Sequence, residues 1–265
     1  MLGMAPRKPD PFKPPDDAAY SNGQVNRAGQ LLRRFYARPP VNEGEDTFAG
    51  FDIEELVDAM IAVTWWRGLH AKPLSKVAAN LRYHVAAENA EVEGQIDVTQ
   101  RLKRRPTIFN KLEREPTMQL TQMWDIGGVR ARLPSLPHLL AVSRRLRKTW
   151  TVVRVKDYIT EPRSSGYRAM HLIVKRDGRL IEVQLRTMLQ DAWANQVEKD
   201  SRQAGVGFKF GKGEEVVHDY YRVVSDAFAA LDREEDLSQE QVAAINESYA
   251  RVAERLERPP LKEDR

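Results

Sequence analysis

The stretch MHLIVKRDGRLIEVQLRT, residues 170–187, decides the fold. Two β-like runs, Met170 to Lys175 and Leu180 to Leu185, flank Asp177-Gly178, a dipeptide that accepts the positive φ values of a tight hairpin turn. A symmetric loop from Arg176 to Arg179 pairs Lys175 with Leu180, Val174 with Ile181, Ile173 with Glu182, Leu172 with Val183 and His171 with Gln184. Side chains alternate along a strand, so Leu172, Val174, Ile181, Val183 and Leu185 form one apolar face that must cover a core. His171, Glu182, Gln184 and Arg186 share the other face, which aligns an imidazole, a carboxylate and an amide beside a cationic segment.

Outward from the hairpin, Ile126 to Leu133 and Thr151 to Tyr158 read as two more strands. Between them a helix opens at Ser135, with Pro137 in its first turn, and runs to Lys148. Arg144, Arg145, Arg147 and Lys148 lie on that helix opposite Leu139, Leu140, Val142 and Leu146, so they are expected to face water. Helical periodicity covers Asn22 to Tyr36, Asp52 to Trp66 and Leu74 to Asn89 before this region. After it come Met188 to Lys199, Val216 to Leu231 and Ser238 to Leu256. The expectation is an α+β core with helical N- and C-terminal segments. Residues 1–17, with five prolines among the first 15 positions, form a disordered tail; 18–99 are helical; 100–200 are the core; 201–265 are a glycine-rich loop and the C-terminal helices.

The chain has 265 residues, 42 Lys and Arg, 38 Asp and Glu, five His and no Cys. That excludes a disulfide framework, Cys-ligated zinc and a catalytic thiol. No uncharged apolar run is long enough to span a membrane, and MLGMAPRKPD has no signal-peptide core, so the chain is expected to be cytoplasmic with no membrane partner. The net charge of +4 hides a polarised pattern: residues 101–186 hold 20 basic against 7 acidic residues, and residues 226–265 hold 6 basic against 11 acidic. The middle of the chain is therefore the candidate anion site, for RNA, a polyphosphate nucleotide or an acidic protein.

With so few acids in that region, each needs a reason. Asp125, just before Gly127-Gly128, and Glu182, on the hairpin, are two hard oxygen donors that suit Mg²⁺; alternatively each neutralises a neighbouring Arg. Arg101, Lys103, Lys111, Arg130, Lys156 and Arg163 supply forks and point charges for phosphate, or planes for stacking on a base. Tyr167, after the turn Pro162 to Gly166, is either a base-stacking platform or a turn tyrosine packed on the hairpin. His218-Asp219 is a lone dipeptide read as structural. The glycines at 205, 207, 211 and 213, with Lys209 and Lys212, lack the following Ser or Thr of a Walker loop.

Three runs in order, Arg154-Val155-Lys156-Asp157-Tyr158-Ile159, Pro162 to His171, and Glu182-Val183-Gln184-Leu185-Arg186-Thr187, resemble the synthetase domain of the RelA/SpoT alarmone synthetases, of the small single-domain kind. Asp125 to Arg130 resembles that family's magnesium-site strand, and Arg101 to Leu112 its ATP-contacting segment. The resemblance implies a nucleotidyltransferase-like mixed sheet flanked by helices, and transfer of pyrophosphate from ATP to the 3′-hydroxyl of GDP or GTP with Mg²⁺ as cofactor. By the same resemblance Arg101 and Arg130 sandwich adenine, Lys103 and Lys111 hold the ATP phosphates, and Asp125 and Glu182 bind the metal, with Glu182 accepting the proton. Tyr167, His171, Lys156, Arg163 and Gln184 belong to the acceptor side. Arg163 stands where the family carries Lys, and the Glu-His pair common after Trp193 is absent. Toxin members of the family modify the 3′-terminal adenosine of tRNA instead, which leaves tRNA as an alternative acceptor and an antitoxin protein as an alternative partner. A non-catalytic RNA-binding or regulatory protein is the third reading.

Overall fold

A computed structural model describes residues 10–16, 18–39, 46–88, 97–208 and 211–256. The Asp177-Gly178 turn takes the shape its sequence dictates: both residues have positive φ, 47° and 75°, as a two-residue hairpin turn requires. It joins β4 (Met170–Arg176) to β5 (Arg179–Thr187). With β1 (Asp97–Leu102), β2 (Gly127–Leu133) and β3 (Val152–Asp157) these form a five-stranded mixed sheet in the order β1-β2-β5-β4-β3. Leu172, Val174, Ile181, Val183 and Leu185 are each at most 2% exposed, as the apolar face requires. The polar face departs from a solvated one, because His171, Glu182 and Arg186 are buried as well. Burial of such groups is tolerated only when they are paired.

β3 runs antiparallel to β4, with Lys156 opposite His171 and Val155 opposite Leu172. The register shifts between Val152 and Arg154, which leaves Val153 as an extra residue and breaks the expected alternation there. Val153 is accordingly 57% exposed.

Contacts group the chain into two compact units that interleave along the sequence. The first comprises Met1–Val77, Gln100–Gly128 and Lys175–Glu182. In it α1 (Asn22–Tyr36) begins with a capping box between Ser21 and Gln24, and α2 (Ile53–Gly68) begins at Asp52, whose carboxylate accepts from the amides of Glu54 and Glu55. They pack with α4 (Arg105–Arg114) around Val25, Leu32, Leu56, Val63, Trp66, Phe109 and Leu112. A Cβ on Gly29 would sit 3.0 Å from Leu120 Cβ, so this glycine sets how closely α1 approaches the 3₁₀ turn Leu120–Gln122. Asp10 and Phe12, in the stretch expected as a disordered tail, also make contacts. Asp10 accepts from Arg105 Nη1 at 3.0 Å, and Phe12 packs against the core.

The second unit comprises Ala78–Thr99, Val129–Val174 and Val183–Arg265. Here α5 (Leu136–Thr149) buries Leu139, Val142 and Leu146. α6 (Met188–Gln203) is capped by Thr187 and Gln190. With α7 (Glu215–Asp232) and α8 (Gln239–Val252) it encloses Trp193, Val197, Phe208, Val217, Tyr221 and Val252. The helix α3 (Ala71–Glu88) has residues in both units.

Two expectations change. β1 starts inside the stretch read as helical, and it carries Arg101 just ahead of α4. Arg145 is not simply solvated: it is half-buried, bonded to Glu88 at 2.8 Å and to His84 Nδ1 at 3.0 Å. His218 is indeed structural, buried against the Lys212 carbonyl at 3.1 Å. Lys209 lies outside the described residues. Among the described residues no helix is long and apolar enough to cross a membrane.

Candidate active site

In the first unit the site is built around Asp125. The amide of Lys103, just past the end of β1, donates to the Ile126 carbonyl at 2.8 Å. That bond places the Lys103 side chain beside Asp125, two residues before β2 begins. α4 buries Ile108, Phe109 and Leu112 and thereby turns Lys111 to the adjoining side of the helix. The two ammonium groups meet the Asp125 carboxylate from either end, Lys103 Nζ on Oδ2 and Lys111 Nζ on Oδ1, both at 2.9 Å. All three side chains are between 11 and 17% exposed, so this clamp is largely withdrawn from water and carries one net positive charge. Arg67 Nε donates to the Lys103 carbonyl at 2.7 Å and steadies the backbone there.

Gly127 is required by packing, since a Cβ would lie 2.6 Å from Ile181 Cδ1. Arg101 is exposed on β1, and Glu182, on β5, is buried at 8% exposure. Asp125 spends one lone pair of each oxygen on a lysine, which leaves a lone pair on each for a metal. Among the described residues no group of three or more His, Asp or Glu side chains is assembled. Asp125 and Glu182 are each a hard oxygen donor of the type Mg²⁺ takes when phosphate and water complete its shell.

In the second unit the loop after β3 carries Tyr167. Gly166 there has φ of 86°, and its amide bonds the Arg163 carbonyl at 2.8 Å. Arg168 fastens the loop to α7 through Ser225 at 3.1 Å and Asp226 at 2.7 Å. The Tyr167 hydroxyl is 2.7 Å from His171 Nε2 and accepts from Arg186 Nη2 at 3.0 Å. Its ring meets Tyr158 and His171 edge-on, with centroids 5.8 and 5.7 Å away. The Arg163 guanidinium lies 4.5 Å from the Tyr158 ring centre and donates to its hydroxyl at 2.9 Å. The result is an aromatic box edged with guanidinium groups. Tyr167 is therefore half-buried and tied in place rather than carried on a free loop. Lys156 stands opposite His171 in the β3/β4 register, and Gln184 accepts from Arg186 at 3.3 Å.

Sequence reasoning missed Asp191, and it placed Arg186 on the polar hairpin face without giving it a role. Arg186 Nη1 donates to Asp191 Oδ1 at 3.0 Å, Arg130 Nη1 donates to the same oxygen at 3.2 Å, and Asn195 holds Oδ2 at 3.0 Å. Burial works against the charge of Arg186, but Tyr167 and Asp191 outweigh it and raise its pKa. The signal for this group was the spacing of Arg186 and Asp191 across a strand-to-helix junction. An acid in the first turn of a helix reads equally well as a partner of the helix dipole.

Residues 100–202 match the family described as "Region found in RelA / SpoT proteins". The chain is 35% identical over 109 residues to the GTP pyrophosphokinase YjbM of Bacillus subtilis, covering 37% of this chain and 52% of that protein. It therefore spans about half the length of that curated relative. It is 32% identical over 199 residues to the uncharacterized protein Mb1401 of Mycobacterium bovis, covering 70% of this chain and 68% of the relative. Among solved structures, small alarmone synthetase 1 of Bacillus subtilis bound to its product pppGpp superposes with a TM-score of 0.54 at 28% identity, over 64% of this chain and 94% of that one.

Proposed function

This chain belongs to the RelA/SpoT family, and on that premise we propose that it is an ATP-dependent pyrophosphokinase that transfers the β,γ-pyrophosphate of ATP to the 3′-hydroxyl of GDP or GTP, releasing AMP. The observation that carries this reading is the clamp of Lys103 and Lys111 on Asp125. It is a preorganised pair of cations around one carboxylate, suited to phosphoryl chemistry, in which positioning and charge neutralisation do most of the work. The relatives named GTP pyrophosphokinase and the solved synthetase holding pppGpp support guanine nucleotides as acceptor and product.

Lys103 and Lys111 swing from Asp125 onto the ATP phosphates, exchanging one anion for another at little electrostatic cost. Arg101 and Arg130 are the residues assigned to the adenine, each able to lay a guanidinium plane on a base. Tyr167 receives the acceptor base on its ring, with Lys156, Arg163, His171 and Gln184 along the acceptor's phosphates and sugar. Glu182 accepts the 3′-hydroxyl proton as the O3′ to β-phosphorus bond forms and the bond from β-phosphorus to the α-phosphate oxygen breaks. Its burial keeps competing water away. Mg²⁺, held by Asp125 and Glu182, would draw charge from the β- and γ-phosphates.

The test is incubation with γ-labelled ATP and GDP, GTP or deacylated tRNA. Label on GDP or GTP with AMP released in equal amount is the expected result. Label on tRNA alone would move the acceptor to the tRNA 3′ end, and label on none of them would overturn the proposal.

A further inference from the structure

Asp191 presents one carboxylate oxygen to two guanidinium groups. Oδ1 accepts from Arg130 at 3.2 Å and from Arg186 at 3.0 Å, while Oδ2 is held by Asn195 at 3.0 Å. Arg186 is only 6% exposed, so its guanidinium leans on this carboxylate. It also spends Nη2 on the Tyr167 hydroxyl at 3.0 Å, its guanidinium carbon lies 5.2 Å from the Tyr167 ring centre, and that hydroxyl is bonded in turn to His171 at 2.7 Å. Arg186 Nε is buried with no hydrogen-bond partner among the described residues, so the guanidinium engages Asp191 through a single nitrogen and has an unused donor. Arg130 is more exposed, at 27% for its side chain, against 7% for that of Arg186. It is the member of the pair that an incoming ligand can reach.

We propose that Asp191 is a positioning residue that couples the two substrates of the reaction proposed above, a nucleotide at Arg130 and an acceptor base at Tyr167. When the adenine draws Arg130 away from Oδ1, Arg186 gains the undivided carboxylate. A more firmly held Arg186 fixes the Tyr167 hydroxyl, and with it the ring on which the acceptor stacks. The same linkage runs in reverse, because an acceptor that immobilises Tyr167 and Arg186 makes Arg130 easier to release. This inference rests on the proposed acceptor and donor pockets. It adds that each substrate tightens the other through a residue that touches neither.

The experiment measures the dissociation constant of α,β-methylene ATP, whose bridging carbon blocks transfer, with and without saturating GDP or GTP, by calorimetry on the full chain. The wild-type protein is expected to bind the analogue at least about fivefold more tightly when the acceptor is present. Asp191→Asn, which keeps volume but loses the negative charge, should reduce that factor to below about twofold. Tyr167→Phe keeps the stacking ring and removes only the hydroxyl that Arg186 and His171 share. It should abolish the coupling too, and it decides the matter if Asp191→Asn does not fold by circular dichroism. Absence of coupling in the wild type, or full coupling in Tyr167→Phe, would overturn the inference. A wild type that transfers no pyrophosphate to GDP or GTP would instead overturn the reaction itself, which the labelling assay reads first.

Discussion

At the scale of single residues, Glu182 and His70 make separable predictions. Replacing Glu182 by Gln keeps the side-chain volume in its buried position and removes both the proposed proton acceptor and a proposed metal donor. Transfer should fall by roughly 10³-fold or more while the circular dichroism spectrum is unchanged; a loss of only a few-fold would remove Glu182 from the mechanism. His70, 2% exposed and bonded to the Trp66 carbonyl at 2.9 Å, is pushed down to about 4 by burial, with Arg179 adding to the depression. Its folded pKa lies below the unfolded value near 6.5, so the unfolded chain takes the proton first, and the stabilisation is full above about pH 6.5 and lost as pH falls toward 4. It amounts to about 3 kcal/mol, of which about 2 is gone by pH 5. Denaturant unfolding of wild type and His70→Gln at pH 7 and pH 5 should show the wild type losing that much more; equal losses would mean that His70 is not held neutral. Single residues were also where the sequence was least readable. Asp125 stood out as a rare acid in a basic segment, whereas Asp191, one acid among several on the helices, drew no notice. Its partner Arg130 lies 61 positions away in the chain, and only folding brings the two together.

At the scale of elements, the turn before Tyr167 depends on one glycine. Gly166 has φ of 86°, and a Cβ there would lie 3.1 Å from the Tyr221 carbonyl and 3.2 Å from Arg222 Cα, backbone atoms that cannot yield as a side chain can. Gly166→Ala should destabilise the protein by about 1–3 kcal/mol and raise the acceptor KM more than the ATP KM, since it lifts Tyr167 away from α7. A larger effect on ATP would reverse the two pocket assignments. The elements that could be read were those with strong periodicity and decisive punctuation. The hairpin is announced by Asp-Gly between alternating apolar residues, and α1 runs over Asn22–Tyr36 as its spacing implies. β1 was not legible because DVTQRL is polar, lies at the edge of the sheet and buries only Val98. Its place is set by pairing with β2, which leaves no local signature.

At the scale of the whole molecule, charge is the feature to test. Arg144, Arg147 and Lys148 are exposed on α5, whereas Arg145 is bound to Glu88 and His84. Changing the exposed three to Gln should leave transfer to GDP and GTP within about twofold, because surface charges remote from a site act weakly at physiological salt. If tRNA takes label from the wild type, the same variant should bind it with a salt dependence shallower by about two to three in logarithmic slope. A fall in GDP or GTP transfer with unchanged folding would place α5 against the nucleotide site.

The fastening of the Tyr167 loop to α7 also bears on how the protein comes into being. Every side chain assigned above to substrate or metal has been polymerised by Glu182 and Gln184, and the positioning carboxylate follows at Asp191. Yet the anchors of the loop, Ser225 and Asp226, are added some forty positions after Gln184. A nascent chain therefore carries its complete set of proposed ligands, with Tyr167 already able to meet His171 and Arg186, before the loop between β3 and β4 gains its anchors on α7. A chain terminated shortly after Asp191, which has every proposed ligand but lacks α7, should therefore be inert in the labelling assay.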